Sequence, residues 1–193
     1  MCLTNLGSME KNTDLFGNEI KKKTYKSATE KELINYDKAL FSERLERLKF
    51  VKKHNPKGYS MFGDMEFVFT FSEIQQCYVN GHFIATIVLS QSFLEKLLDI
   101  HLSKKGLEKA TKYGLEKMIK VAVKENILHP KVLELLNNLR LKRNPFIHSK
   151  DWDYPHTLSK RSFENRLRPE EQLEKDATEA MSLLYSIFKY PLN

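Results

Sequence analysis

Arg143, Asn144 and His148 fall within six positions of one another, in the stretch RNPFIHSKD at 143–151. Each residue type offers something to phosphodiester chemistry. A guanidinium can hold a phosphate bidentately. An imidazole gains or loses a proton near neutral pH. A side-chain amide both donates and accepts hydrogen bonds. Arg140, Lys142 and Lys150 add positive charge, and no acidic residue lies between 135 and 150. These are the parts required for metal-free cleavage of RNA: a base for the 2′-hydroxyl, an acid for the leaving oxygen, and cations on the phosphate. The plainer alternative is an Arg and a His that merely serve the carboxyl end of a helix dipole. On a straight helix, residues five apart point roughly 140° away from each other. Pro145 lies between them, lacks a backbone N–H and crowds the preceding turn. A kink or wider turn there is predicted to bring Arg143 and His148 to one side.

A second set of chemically capable residues follows in 149–168, a polar, basic and aromatic segment expected to be a long loop. Trp152, Tyr154, His156, Lys160 and Arg161 interleave rings and cations, a pattern that can stack bases and hold phosphates. The competing reading is a loop pinned to the protein by Trp152 and Phe163. His82, His101 and His129 stand at helix ends and are expected to cap or to face solvent. The Phe67, Phe69, Phe71 series is expected to be core. Only two cysteines occur, Cys2 and Cys77, with no CxxC spacing, so neither a zinc site nor a disulfide framework is predicted. Cys77 reads as a buried small hydrophobe, and the low cysteine use fits a reducing cytoplasm.

The elements that must position these groups are helical. The chain has 193 residues, 41% of them hydrophobic, with 7 Gly and 6 Pro, which suits long helices better than a turn-rich sandwich. A capping box, SATE at 27–30, opens a helix running to about His54, with Leu33, Tyr36, Leu40, Phe41, Leu45, Leu48 and Val51 on one apolar face. The stretch 61–81 could be a strand through FVFTF, but its three- and four-residue spacing favours a helix closed at Asn80-Gly81. Helices are expected over 82–102, ended by Gly106, and over 113–128. A further helix starts at Pro130, with Val132, Leu135, Leu136 and Leu139 along one side. A closing helix follows after Arg168, its acidic first turns suited to the helix dipole. Together they predict an all-α, up-and-down bundle of about five helices in one domain, 27–193, preceded by a loosely held tail, 1–26. Met9 rather than Met1 could be the start. The amino terminus has no secretory pattern and no apolar run approaches bilayer length, so a soluble cytoplasmic protein is expected. A formal charge of +7 permits an anionic partner, nucleic acid foremost.

RNPFIH resembles the Arg-x(4–6)-His motif of HEPN domains, in the form where Asn follows Arg. HFIATIVLSQSFLEKLLDIHL resembles the central helix of that family, LEKMIKVAVKENIL and the Pro-started helix follow in the same order, and EKDATEAMSLLYSIF resembles its closing helix. The resemblance covers about 65–190. It implies an all-α bundle that dimerises, with a composite site between protomers, and a metal-independent endoribonuclease of defence, toxin–antitoxin or stress systems that leaves a 2′,3′-cyclic phosphate. Arg143 would then bind the scissile phosphate, His148 would perform acid–base work, and Asn144 would orient them, with Glu95 in support. Arg140, Lys142, Lys150, Trp152, Lys160 and Arg161 would bind RNA. No cofactor or metal is implied. Cognate antitoxins or nucleotidyltransferases are the expected partners, and a non-catalytic module paired with a nucleotidyltransferase is the alternative.

Overall fold

A computed structural model describes residues 27–54, 64–112 and 114–187; the expected tail at 1–26 lies outside the described residues. All regular structure among them is helical, in eight helices with no strand. The chain divides into two compact units, Met1–Phe41 and Ser42–Asn193.

Helix α1, Ala28–His54, begins at the expected capping box. The Ser27 hydroxyl accepts from the Glu30 N–H (3.1 Å), and the Glu30 carboxylate accepts from the Ser27 N–H (3.0 Å). Its anticipated apolar face is not core. Val51 alone of the seven positions is buried, whereas Leu33, Tyr36 and Phe41 are 60, 60 and 65% exposed.

In the second unit, the end of α1 is attached through polar and aromatic contacts. The Arg47 guanidinium donates to the Val79 carbonyl (3.2 Å) and the Glu174 carboxylate (3.1 Å), and lies over the Phe83 ring. Phe50 meets Tyr78, and His54 stacks on Tyr185. Gly81 takes a left-handed φ of +79°, and a Cβ there would come within 3.4 Å of Arg47. The left-handed backbone at Gly81 is what favours glycine in this connection, since a Cβ at 3.4 Å from the Arg47 side chain would be in ordinary contact.

Helices α2, Met65–Val79, and α3, Phe83–Lys104, form a hairpin. Asp64 caps α2 by accepting from the Phe67 N–H (2.9 Å) and reaches across to Lys96 (2.7 Å). Phe67 stacks on Phe93 in the core. Phe69, expected beside it, is exposed: residues two apart on a helix diverge by about 200°, so a helical 65–79 cannot bury all three rings on one side. Helix α3 closes through a Schellman-type turn in which Leu107 N–H bonds the Leu102 carbonyl (2.9 Å) and Gly106 has φ +74°.

Beyond it the count departs from about five helices. A single turn, α4 (Glu108–Thr111), precedes α5 (Leu115–Lys124), which is shorter than the expected 113–128 because the chain turns at Asn126, in the left-handed region. Helix α6 spans Pro130–Ile147 and buries Leu133 in place of the expected Leu135. Helix α7, Leu158–Asn165, interrupts the predicted loop of 149–168, and α8 spans Pro169–Ile187. Helix α3 lies at the centre and packs on α8, α2, α6 and α5. Its buried face (Ile87, Leu94, Leu98, Leu102) meets Ala177, Ala180, Met181 and Leu184 within one core cluster.

Candidate functional site

Helix α6 carries the first candidate group. His129 caps it by accepting from the Lys131 N–H, and Pro130 occupies the first turn, where a missing N–H costs nothing. Val132, Leu133, Leu136 and Leu139 bury one side. The helix runs through Pro145 to Ile147, so the proline lies in the last turn, and the expected kink or wider turn does not end the helix there. What turns the chain is His148 itself. Its N–H makes the final helical bond, to the Asn144 carbonyl (2.9 Å), and its backbone then becomes extended, φ −124° and ψ 135°.

Arg143 and Asn144 are half-buried, and His148 is exposed. The Arg143 Nε is buried with no hydrogen-bond partner, and so are Ser90 Oγ and Gln91 Oε1 on α3, the helix against which α6 packs. A buried guanidinium N–H without an acceptor is a costly arrangement in a free protein. No hydrogen bond among the described residues joins the side chains of Arg143, Asn144 and His148, or links Glu95, half-buried on α3, to them.

The neighbouring cations have diverse surroundings. Arg140 donates from Nε and Nη2 to Asn137 Oδ1 (3.1 and 3.0 Å) and pairs with Glu116 across to α5 (3.4 Å). The Lys120 ammonium, with help from Arg140, holds the Glu116 carboxyl below the ordinary range. Lys142 pairs with Asp176 (3.0 Å) and closely with Glu179 on α8. Arg161 is 6% exposed; its Nη1 donates to Asp176 Oδ2 and its Nε to the His156 carbonyl (3.1 Å), and its Nη2 is buried without a partner. Lys160 donates to the Asp153 carbonyl (3.1 Å). Lys150 is exposed, above the Tyr154 ring.

Trp152 is 92% exposed and Phe163 85%, so neither pins the segment. The anchor is Asp176, 1% exposed, whose Oδ1 also accepts from Gln172 Nε2 (3.0 Å), itself bonded to Asn165. Sequence reasoning, which assigns the acidic residues of this helix to its dipole, misses that role. The available signal is spacing: Asp176, Glu179, Ala180 and Leu183 share one side of α8.

That side, with Asn138, Leu139 and Lys142 of α6, lines a partly open pocket of about 150 Å³ that His156 also lines. Burial, and then the nearby charges of Arg161 and Lys142, hold the His156 imidazole below its ordinary pKa and favour its neutral form. Cys77, expected to be buried, is only half-buried, and burial, then nearby Glu73, raise its thiol pKa. Among the described residues, no three His, Cys, Asp or Glu side chains are placed to hold a metal ion, and no helix is long and apolar enough to cross a membrane.

The fold and this polar end of α6 define an all-helical protein with an Arg–Asn–His group at a helix terminus. No family model, characterised protein or solved structure matches the chain.

Proposed function

We propose that the protein is a metal-independent endoribonuclease of the HEPN type. The observation that carries the reading is the state of the motif itself. Arg143 is held half-buried with a guanidinium N–H unpaired, while the extended cap releases His148 into solvent beside it in sequence. The Nε is shut off from solvent, so a phosphate would be met by the Nη groups of the half-buried side chain. In the cleavage, a neutral imidazole takes the proton of the 2′-hydroxyl, the 2′-oxygen attacks phosphorus, and the 5′-oxygen leaves with a proton from an imidazolium. The products are a 2′,3′-cyclic phosphate and a 5′-hydroxyl. Arg143 neutralises the non-bridging oxygens as charge builds on them.

One His148 cannot be base and acid in the same step. The reading therefore includes a homodimer whose two copies of the motif share one cleft, acting in the cytoplasm in a defence, toxin–antitoxin or stress setting. Exposed Trp152 and Lys150 lie just beyond the motif in sequence and suit a single-stranded RNA leaving it.

The test is cleavage of RNA by purified protein in EDTA, with analysis of the ends. Cyclic phosphate ends that vanish in His148→Ala, with helical circular dichroism intact, support the reading; cleavage that survives the substitution overturns it. A second reading is favoured by one observation: Arg140, Lys142 and Arg161 already hold internal ion pairs. That suits a non-catalytic HEPN-like module working with an antitoxin or nucleotidyltransferase. RNA bound but never cut by the wild type would select it.

A further inference from the structure

The pocket between α6 and α8 plays no part in the proposed cleavage. Leu135, Leu139 and Leu183 make one part of its wall apolar, and Lys142, Glu179 and His156 make another part polar. Its volume of about 150 Å³ matches a cavity that takes one benzene ring. We infer that this pocket binds a small monocarboxylate with a ring-sized apolar body, the carboxylate on Lys142 and the body against the leucines.

The charges select an anion. Beneath the pocket lie two cations, Arg161 and Lys142, and one fully buried carboxylate, Asp176, so one positive charge is in excess. Glu179 supplies the balance from within the chain. Its carboxylate pairs with the Lys142 ammonium, yet its side chain is 52% exposed and can turn into water at little cost. Lys142 is mostly buried and stays where Asp176 holds it (3.0 Å). A ligand carboxylate can therefore take the place of Glu179 with the charge balance kept. His156 adds a second donor. Its ring meets Tyr154 edge-on, and neither ring nitrogen makes a hydrogen bond among the described residues. Burial first, and then Arg161, Lys142 and Arg140 against Glu164 alone, favour the neutral imidazole, which marks the potential there as positive. A dianion would overshoot the single excess charge. An amine would find Asp176 already taken by Arg161, Gln172 and Lys142.

The inference does not depend on RNA cleavage, and its test uses none. The full chain is titrated with benzoate, benzamide, benzylamine and inorganic phosphate, followed by calorimetry and thermal unfolding. Benzoate should bind with a Kd of about 1 mM or tighter and raise Tm. It should also protect 150–157 from proteolysis, because it joins His156 to Lys142. Benzamide has the same shape without the charge and should bind about tenfold more weakly. Glu179→Gln removes the competing carboxylate and should tighten benzoate by roughly two- to fivefold. Lys142→Met should weaken it by about tenfold or more. Glu179→Gln changes an exposed side chain, so it decides the matter even where Lys142→Met fails to fold. Absence of benzoate binding up to about 10 mM overturns the site. Benzamide or benzylamine binding as tightly as benzoate overturns the choice of an anion, and phosphate doing so overturns the apolar body. Benzoate affinity that is unchanged or lowered in Glu179→Gln overturns the exchange on Lys142.

Discussion

Replacing Asp176 with asparagine changes one oxygen for one nitrogen, yet it should be among the most damaging single substitutions in the protein. The carboxylate is 1% exposed, accepts from Arg161 on one oxygen and Gln172 (3.0 Å) on the other, and pairs ionically with Lys142 (3.0 Å). Arg161, 6% exposed, pairs with no other carboxylate among the described residues; its Nε serves the His156 carbonyl and its Nη2 already lacks a partner. A neutral amide in place of the carboxylate would leave that guanidinium buried and uncompensated. Breaking a buried pair from one side costs about 3–5 kcal/mol. For a chain of this size that lowers Tm by roughly 6–20 °C. Lys142 suffers less, because it keeps Glu179 and reaches solvent. The assay is urea unfolding followed by circular dichroism, with limited proteolysis of 150–157, the segment that Arg161 ties down. Asp176→Leu combined with Arg161→Met should restore most of the loss, since apolar isosteres often replace buried pairs without penalty. A cost below about 1 kcal/mol for Asp176→Asn, the range of an exposed pair, would refute the buried network.

Arg143→Ala and His148→Ala should each lower the rate of RNA cleavage by about 10²–10⁴-fold while leaving the unfolding midpoint nearly unchanged, as measured in single-turnover assays. Trp152→Ala should weaken single-stranded RNA binding by roughly 5- to 150-fold, the worth of one base stack, in fluorescence titrations at fixed salt. His156 has a folded pKa below its unfolded value, so the unfolded chain binds more protons as pH falls through the mid-6 range. Stability present at pH 7 should therefore decline between about pH 7 and pH 5, and His156→Gln should flatten that part of the profile in thermal melts. Arg166 ends α7 with φ +55°, a conformation that costs a residue bearing a Cβ about 1 kcal/mol, and Arg166→Gly should raise the urea midpoint accordingly.

The helices are legible wherever their buried side is apolar. Helices α2, α3 and α6 follow from three- and four-residue spacing, and the Ser27 box and Pro130 mark the starts of α1 and α6, while the Asp64 cap of α2 emerges only in the structure. Helix α7 is not legible, because what it buries is Arg161 and Ser162, and no hydrophobic pattern announces a helix anchored by a guanidinium. For the same reason Asp176 reads as an ordinary acidic residue. Its importance comes from Arg161, fifteen residues away, and from Lys142 on another helix. Phe69 and the α1 stripe show the converse failure. Periodicity says that residues share a side, but not that the rest of the chain covers that side.

The candidate site shows the same division. The motif's composition is plain in the sequence, and so is its place at the end of a helix. The device that separates His148 from the helix is not Pro145, which α6 accommodates in its last turn. Pro145 removes the N–H that would bond the Leu141 carbonyl, yet the helix continues two residues beyond it. The extended backbone at His148 achieves the release by itself. It follows that Pro145→Ala should leave the motif's geometry and the cleavage rate within about threefold of wild type, since it restores one N–H in a last turn already formed. A loss approaching that of His148→Ala would return the bend at Pro145 to the centre of the mechanism.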